Sequence, residues 1–238
     1  MTTRSQPQAY TAKLEDKLVF NQRFFQASFE LVSPPRLEFK AGQYVSVQVS
    51  DQGHRRPYSI CSSPDITHGF EILVDTGPGG VGSRFLQNLE FGQQVSLLAP
   101  LGDFVINASS AEAVVLVGNG SGISPLRGMV LDLLQVRHDQ RPITLHWGMR
   151  RVDELFWENE FQQLSQDFEN FYFHPVISQA APDWTLCRGR VTDCLAVHGF
   201  PQQAEYYLCG STDMIDQSKQ VLAQGGVAAA QIHHEKFY

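Results

Sequence analysis

The sequence predicts a two-domain chain: an N-terminal antiparallel β-barrel over residues 1–107, then an α/β domain with a doubly wound parallel sheet over 108–238. Three observations predict it. The first hundred or so residues carry short strand-like runs separated by turn residues, with few helical signals, as in a barrel or sandwich. From about Ala111 onward, strand-like runs alternate with helical patterns, which means a parallel sheet. The second half also opens on Val114-Val115-Leu116-Val117-Gly118-Asn119-Gly120-Ser121-Gly122-Ile123-Ser124-Pro125, an apolar run ending in closely spaced glycines. An apolar run of that length suits a strand buried on both faces.

In the first half, Val19 to Leu31 and Tyr44 to Val49 are rich in β-branched and aromatic residues, and the second run alternates apolar with polar. Pro34-Pro35 separates them, and Ala41-Gly42-Gln43 turns into the second. Phe70 to Val74 and Val95 to Leu98 read as further strands, and Val81 to Leu89 as a helix entered through Gly77-Pro78-Gly79-Gly80. Asn107-Ala108-Ser109-Ser110 is the expected linker. In the second half the strands are Val114–Val117, Ile143–Trp147, Phe171–Ile177 and Glu205–Leu208. The helical patterns are Leu126 to Leu134, Asp153 to Leu164 and Thr212 to Leu222. Ser124 is expected to cap the first of these helices, with Pro125 at the position where a missing N–H costs nothing.

With 42% hydrophobic and 18% charged residues, the 238-residue chain can build an ample core. No apolar run approaches the roughly 20 residues that span a bilayer. Met1 to Tyr10 is polar, lacks the apolar centre of a signal peptide, and reads as a frayed arm of a cytoplasmic protein. A formal net charge of -7 disfavours nucleic acid as a partner. Cys61, Cys187, Cys194 and Cys209 contain no C-x-x-C pair and no zinc or iron–sulfur spacing, so free thiols and no bound metal are expected. His233-His234 reads as a pair of ordinary strand or surface histidines.

Glycines bring backbone N–H groups close to a ligand, and a helix N-terminus adds positive potential. In open α/β sheets ligands bind beyond the carboxyl ends of the strands. Gly118–Pro125, Gly148-Met149-Arg150 and Cys209-Gly210-Ser211 each follow a predicted strand, so all three should share one rim, with a glycine at each place leaving room for an extended ligand. In the barrel half, Arg55-Arg56-Pro57-Tyr58-Ser59 offers a guanidinium fork, a flat aromatic and a hydroxyl; Arg56 and Tyr58 share a face in an extended chain. Gly79-Gly80-Val81-Gly82-Ser83-Arg84 is a second glycine entry to a helix, hence a second anion site.

These segments resemble the ferredoxin–NADP reductase superfamily of flavoproteins. Its R-x-Y/F-S/T motif matches Arg56-Pro57-Tyr58-Ser59, its G-x-x-S motif matches Gly80-Val81-Gly82-Ser83, and its G-x-G-x-G-x-x-P loop matches Gly118 through Pro125. The C-G motif of the last central strand is Cys209-Gly210, and the acidic-then-aromatic chain end is Glu235-Lys236-Phe237-Tyr238. All five lie in the family order; Ser124 replaces a common alanine.

The resemblance implies an FAD-binding barrel and an NAD(P)-binding domain. It implies that Arg56 holds the flavin pyrophosphate, that Tyr58 packs on the isoalloxazine and ribityl chain, and that Ser59 approaches flavin N5. Gly80, Val81, Gly82 and Ser83 would bind flavin phosphate. Gly118, Gly120, Ser121, Gly122 and Pro125 would form the nucleotide pyrophosphate loop. Cys209 and Gly210 would sit beside the nicotinamide, Glu235 near Ser59, and Phe237 or Tyr238 over the flavin. Ser59, Cys209 and Glu235 are thus the expected catalytic residues. Arg150 and Arg151, with Arg188 and Arg190 further on, are candidates for a nucleotide 2′-phosphate, and the choice between NADH and NADPH stays open.

The implied activity is NAD(P)H oxidation through FAD, with electrons passed to a separate acceptor such as a ferredoxin, a flavodoxin or an oxygenase component. A C-x4-C-x2-C cluster motif is missing from the sequence, which implies that no iron–sulfur domain is built in. The alternatives are a flavin reductase that uses free flavin as substrate, and an electron-transfer subunit defined by its docking partner. A monomer is expected, and Arg55, Arg84, Arg127 and Arg137 are candidates for a basic docking face.

Overall fold

The computed structural model describes residues 7–237. Two compact units divide them, one running up to Ile106 together with Arg127–Arg137, the other comprising Asn107–Leu126 and the chain from His138.

The first unit contains strands β1 (Gln8–Val19), β2 (Phe24–Ser33), β3 (Tyr44–Gln48), β4 (Arg55–Ser59) and β5 (Gly69–Asp75), helix α1 (Val81–Asn88) and strand β6 (Gln94–Leu101). They form one antiparallel sheet in the order β4-β3-β6-β1-β2-β5, and a bridge between Ile60 and Ile72 brings its edges together as a nearly closed barrel. The core alternates as barrel strands require: Tyr10, Ala12 and Leu14 of β1, Val45 and Val47 of β3, and Val95, Leu97 and Ala99 of β6 are all buried. Burying each large apolar side chain contributes about 1.5–3 kcal/mol.

The first strand differs from the expectation. Gln8, Ala9 and Tyr10 are paired in β1 rather than forming the end of a frayed arm, and the chain turns at residues 20–23 instead of running as one strand from Val19 to Leu31. Asn21 makes that turn, its Oδ1 accepting from the backbone N–H groups of Arg23 and Phe24, each at 2.9 Å. The alternation in β1 was hidden by its charged solvent face, where Lys13 pairs with Glu15 and Glu30.

The second unit holds β7 (Ala113–Asn119), the start of α2 (Ile123–Leu131), whose residues from Arg127 group with the first unit, β8 (Ile143–Met149), α3 (Glu158–Asp167), β9 (Phe171–Ile177), β10 (Cys187–Arg188), α4 (Val191–His198), β11 (Ala204–Gly210), α5 (Thr212–Gln224) and β12 (Ile232–Lys236). The sheet is parallel, in the order β10-β9-β8-β7-β11-β12. Chain order therefore reverses between β7 and β11, which defines the topological switch point. One face packs on α4 and α5 through Val115, Val117, Leu195, Leu208, Ile215 and Leu222. On another aromatic layer Trp147 meets Phe156 at 4.9 Å and Phe161 meets Phe173 at 5.0 Å between ring centroids.

Three local expectations are corrected here. Gly120–Gly122 already form a 3-10 turn leading into α2, so Ser124 is a buried residue inside the helix and not its cap. The helix expected from Asp153 starts at Glu158: Val152–Glu154 form a 3-10 turn that ends at the extended Leu155, and Trp157, with a left-handed φ of 56°, immediately precedes the helix. Cys187 and Cys194 are joined in a disulfide, and only Cys61 and Cys209, both buried, are free thiols. Helix α4 was not anticipated; its short apolar face is interrupted by Thr192 and Asp193.

Candidate functional site

In the barrel unit, β4 pairs antiparallel with β3, setting Arg56 opposite Val47 and Tyr58 opposite Val45. Pleating then puts Arg56 and Tyr58 on one face of β4 and Ser59, which is buried, on the other. Helix α1 starts immediately after Gly80, which supplies no side-chain cap. Its first-turn N–H groups have no intrahelical acceptor and are available to an anion. Ser83 orients by donating from Oγ to the Gly80 carbonyl at 3.1 Å.

The two barrel motifs meet at Gly82. A Cβ there would lie 2.5 Å from the Tyr58 hydroxyl and 2.8 Å from Arg56 Cγ, whereas at Gly80 nothing stands within 4 Å. The glycine thus lets the helix start close onto β4 while leaving Gly80 accessible. Burial raises the Tyr58 phenol to about 12, so it stays protonated and can donate a hydrogen bond. A flavin fits this donor set: a guanidinium and a helix start for phosphate oxygens, and an aromatic ring for stacking.

In the α/β unit, the glycine loop lies at the switch point. A Cβ on Gly122 would lie 2.2 Å from the Cys209 carbonyl oxygen, so this residue must be glycine for β7 and β11 to deliver their ends side by side. Gly118 is tight to a lesser degree, its Cβ position 2.8 Å from Leu126 Cδ1. Gly120 differs, with φ 55° and nothing within 4 Å of its missing side chain. That opening, beside the backbone N–H groups of the 3-10 turn, is where a pyrophosphate fits.

Two residues that sequence reasoning passed over hold this loop. The Asn119 amide donates to Ser211 Oγ at 3.1 Å and its Oδ1 accepts from Ser211 N–H at 2.9 Å, tying the loop to the start of α5. Trp147 Nε1 donates to the Gly120 carbonyl at 3.1 Å. The available signal was an amide placed directly before the glycines. The three segments do share one rim, Gly148 pairing with Asn119 and Cys209 with Gly118 across adjacent strands. A Cβ on Gly148, however, would meet Val191 Cγ1 at 2.6 Å, so this glycine serves packing of α4 rather than room for a ligand.

Cys209 is buried on β11, in parallel register with Glu235 of β12. Burial, with the Glu235 carboxylate adding to it, pushes the thiol well above its ordinary range. Phe237 follows directly, its N–H bonded to the Gly210 carbonyl at 2.9 Å, and Ser121 and Pro125 lie in and after the glycine turn. Tyr238 lies outside the described residues. Arg150 and Arg151 are exposed; the Arg151 guanidinium is held by Asp153, and the backbone N–H groups of both arginines bond Glu154. Arg188 and Arg190 bond Trp184 and Gln217. Of the expected basic face, Arg127 is consumed by the Cys61 carbonyl and the Glu71 carboxylate, each at 2.8 Å, and Arg137 pairs with Asp132.

Comparison with known proteins agrees with both halves. The family model of the oxidoreductase FAD-binding domain matches residues 11–106, and that of the oxidoreductase NAD-binding domain matches residues 116–220. The chain is 34% identical over 207 residues to the phenol 2-monooxygenase reductase component DmpP of a Pseudomonas species, covering 85% of this chain and 58% of that protein. It is 30% identical to the anthranilate 1,2-dioxygenase electron transfer component of Acinetobacter baylyi, covering 85% and 59% respectively. The chain therefore spans about three-fifths of the length of these relatives. The crystal structure of the Amycolatopsis cytochrome P-450 reductase GcoB superposes with a TM-score of 0.89 at 28% identity, over 97% of this chain and 70% of that one. With a barrel bearing the flavin-type motifs, a sheet bearing the nucleotide loop at its switch point, and both domain models matched in that order, the chain belongs to the ferredoxin–NADP reductase superfamily of FAD- and NAD(P)-binding flavoproteins.

Proposed function

We propose that this chain is an NAD(P)H-dependent FAD reductase that passes electrons to a separate acceptor, an oxygenase component or a small electron carrier, with the FAD-binding domain at 1–107 and the nucleotide-binding domain at 108–238. The observation that carries the reading is the closure of Arg56 and Tyr58 on Gly82, because a nucleotide loop alone would equally suit a dehydrogenase without flavin. Bound FAD supplies the chemistry of accepting a hydride at N5 and releasing electrons singly. The protein's part is positioning. Arg56 and the first-turn N–H groups of α1 hold phosphate oxygens, Tyr58 stacks and donates, and Ser59 offers a hydroxyl. Gly80, Val81, Gly82 and Ser83 form the flavin phosphate cradle. Gly118, Gly120, Ser121, Gly122 and Pro125 form the nucleotide cradle, which Asn119 and Trp147 hold in place.

Cys209 contributes a small, neutral thiol beside the nicotinamide position, Gly210 leaves backbone room next to it, and Glu235 is a proton-handling carboxylate one strand away. Phe237 or Tyr238 is the aromatic assigned to cover the flavin in this reading. For the 2′-phosphate, Arg150 is favoured over Arg151, whose charge Asp153 already neutralises in part. Support for an oxygenase-type acceptor comes from the relatives, which are reductase or electron-transfer components of a monooxygenase and a dioxygenase. Among the described residues no helix is long and apolar enough to cross a membrane.

The test is the colour and turnover of the purified full chain. Tightly held FAD, bleached by NADH or NADPH without oxygen and reoxidised by a one-electron dye, is the expected result. A colourless protein that reduces added free flavin would replace this reading with a flavin reductase, and the lack of any NAD(P)H oxidation would sink the enzyme reading.

A further inference from the structure

We propose that Cys187, Cys194, His198 and His146 form a thiolate–imidazole site for a soft divalent cation of the zinc type, available when the Cys187–Cys194 disulfide is reduced and closed when it forms. The five donors near this point come from four elements. His146 and His174 are direct partners in the β8–β9 register, so their rings project from the same face of the sheet. Helix α4 covers that face and presents Cys194 and His198, four residues and about one turn apart. Strand β10 adds Cys187 from the edge.

Three of the four donor atoms are already gathered, and the fourth adjoins one of them. The ligand atoms of Cys187, Cys194 and His198 all lie within 4.8 Å of one another. The Cys187 sulfur is 3.6 Å from His198 Nε2, and His146 Nδ1 is 3.3 Å from the Cys194 sulfur. Two imidazoles on one tetrahedral ion hold their ring centroids roughly 5 Å apart, given metal–nitrogen bonds near 2 Å. His146 and His198 meet this, at 5.6 Å and tilted by 56°. His174 stacks on His198 at 3.8 Å, too close and too parallel to share the ion, and instead backs that ring. Two sulfurs and two ring nitrogens are a donor set of the zinc type.

A disulfide bracing β10 on α4 explains the two cysteines but not three imidazoles packed around them. The hydrogen bonds and ring contacts of those imidazoles among the described residues run to one another and to the two sulfurs. The nearby Asp193 carboxylate is occupied, accepting from Arg190 N–H at 2.7 Å. An open cavity of about 480 Å³, lined by His174, Leu186, Cys187, Asp193, Cys194 and His198, gives an ion a way in. Cys194 lies at its buried end and His198 at its exposed end, with the buried His146 ring beside Cys194 outside the cavity lining.

The redox step balances as a dithiol–disulfide couple. A dithiol delivers two electrons with its own two protons and closes to a disulfide, or a phosphine is oxidised to its oxide with water supplying the oxygen and both protons. In both cases the sulfur–sulfur bond breaks to two thiols. Cation binding then releases the two thiol protons. A peroxide takes two electrons back, re-forming the bond and giving water, and the cation loses two of its four donors. Sequence reasoning missed the site because C-x6-C-x3-H is not a zinc-finger spacing and the two β-strand histidines join only in the fold.

The test uses the full chain with its flavin, reduced anaerobically, equilibrated with Zn²⁺ and dialysed against metal-free buffer. One zinc per chain by elemental analysis is expected, lost on treatment with peroxide. Cobalt substitution should show the visible bands of a tetrahedral ion and a near-ultraviolet thiolate-to-metal band. Cys187→Ser and His198→Ala, both at the accessible end, should each weaken zinc retention by about tenfold or more. Reduced protein that retains no zinc, cobalt spectra without the thiolate band, or His198→Ala that holds zinc as tightly as the unaltered chain would overturn the proposal.

Discussion

One methyl group at Gly82 is enough to push apart the two motifs of the proposed flavin site, since it would lie 2.5 Å from the Tyr58 hydroxyl. Replacing Gly82 with valine should therefore lower the flavin-to-protein absorbance ratio of the purified chain to a small fraction of its normal value. Circular dichroism should show the barrel intact, because Gly82 lies on a short helix outside the sheet. Cys209 is held in its protonated form. Burial and Glu235 raise its pKa, so it remains a thiol at pH values where an ordinary cysteine has become a thiolate. Alkylation of Cys209 by iodoacetamide, followed by mass spectrometry, should stay negligible in the folded protein through pH 9 and become fast once the protein is denatured. Rapid labelling in the native state would show that the thiol is neither buried nor suppressed.

Elements add constraints that single residues lack. The glycine turn after β7 is positioned by its ties to α5 and β8, through Asn119 and Trp147. Asn119→Ala removes both bonds to Ser211, a loss of about 1–3 kcal/mol when a partner is left unsatisfied. We expect KM for the nicotinamide nucleotide to rise roughly tenfold or more on that basis, with flavin content unchanged. A fall in flavin instead would mean that the two anion sites have been assigned to the wrong units. The link between β10 and α4 has its own readout. Cys61 and Cys209 are buried, so the native oxidised chain should show no thiols that react with an aromatic disulfide reagent. After mild reduction it should show two, from Cys187 and Cys194; two reactive thiols before reduction would mean that the bond is absent in solution.

At the scale of the molecule, each unit under the proposed function has one anion site at a helix or turn start, which would make the two cofactors separately addressable. FAD that binds only the folded barrel stabilises it by RT ln(1 + [L]/Kd), about 2.7 kcal/mol at a hundredfold excess over Kd. Thermal unfolding of the apoprotein should shift upward with added FAD. The same shift should be lost in Gly82→Val and kept in Asn119→Ala. An equal shift in all three proteins would place FAD elsewhere.

The sequence by itself determined the barrel-then-α/β order and the motifs that mark the family, because strand alternation, glycine loops and helix entries are set by neighbours a few residues apart. Even there, β1 went unread where charged residues masked a period of two, and Ser124 was misread as a cap because the 3-10 turn before it is invisible in composition. Tertiary structure decided which glycines are closed by packing and which are open. Gly122 faces the Cys209 backbone and Gly148 faces Val191, while Gly120 faces nothing within 4 Å, and only atoms far apart in sequence make that difference. It also decided the company of Cys187 and Cys194: His146 and His174 lie on β8 and β9, brought beneath α4 by parallel pairing of strands that the chain visits at separate times. Spacing along a chain reports local geometry, whereas a cluster of donors depends on how the sheet is ordered.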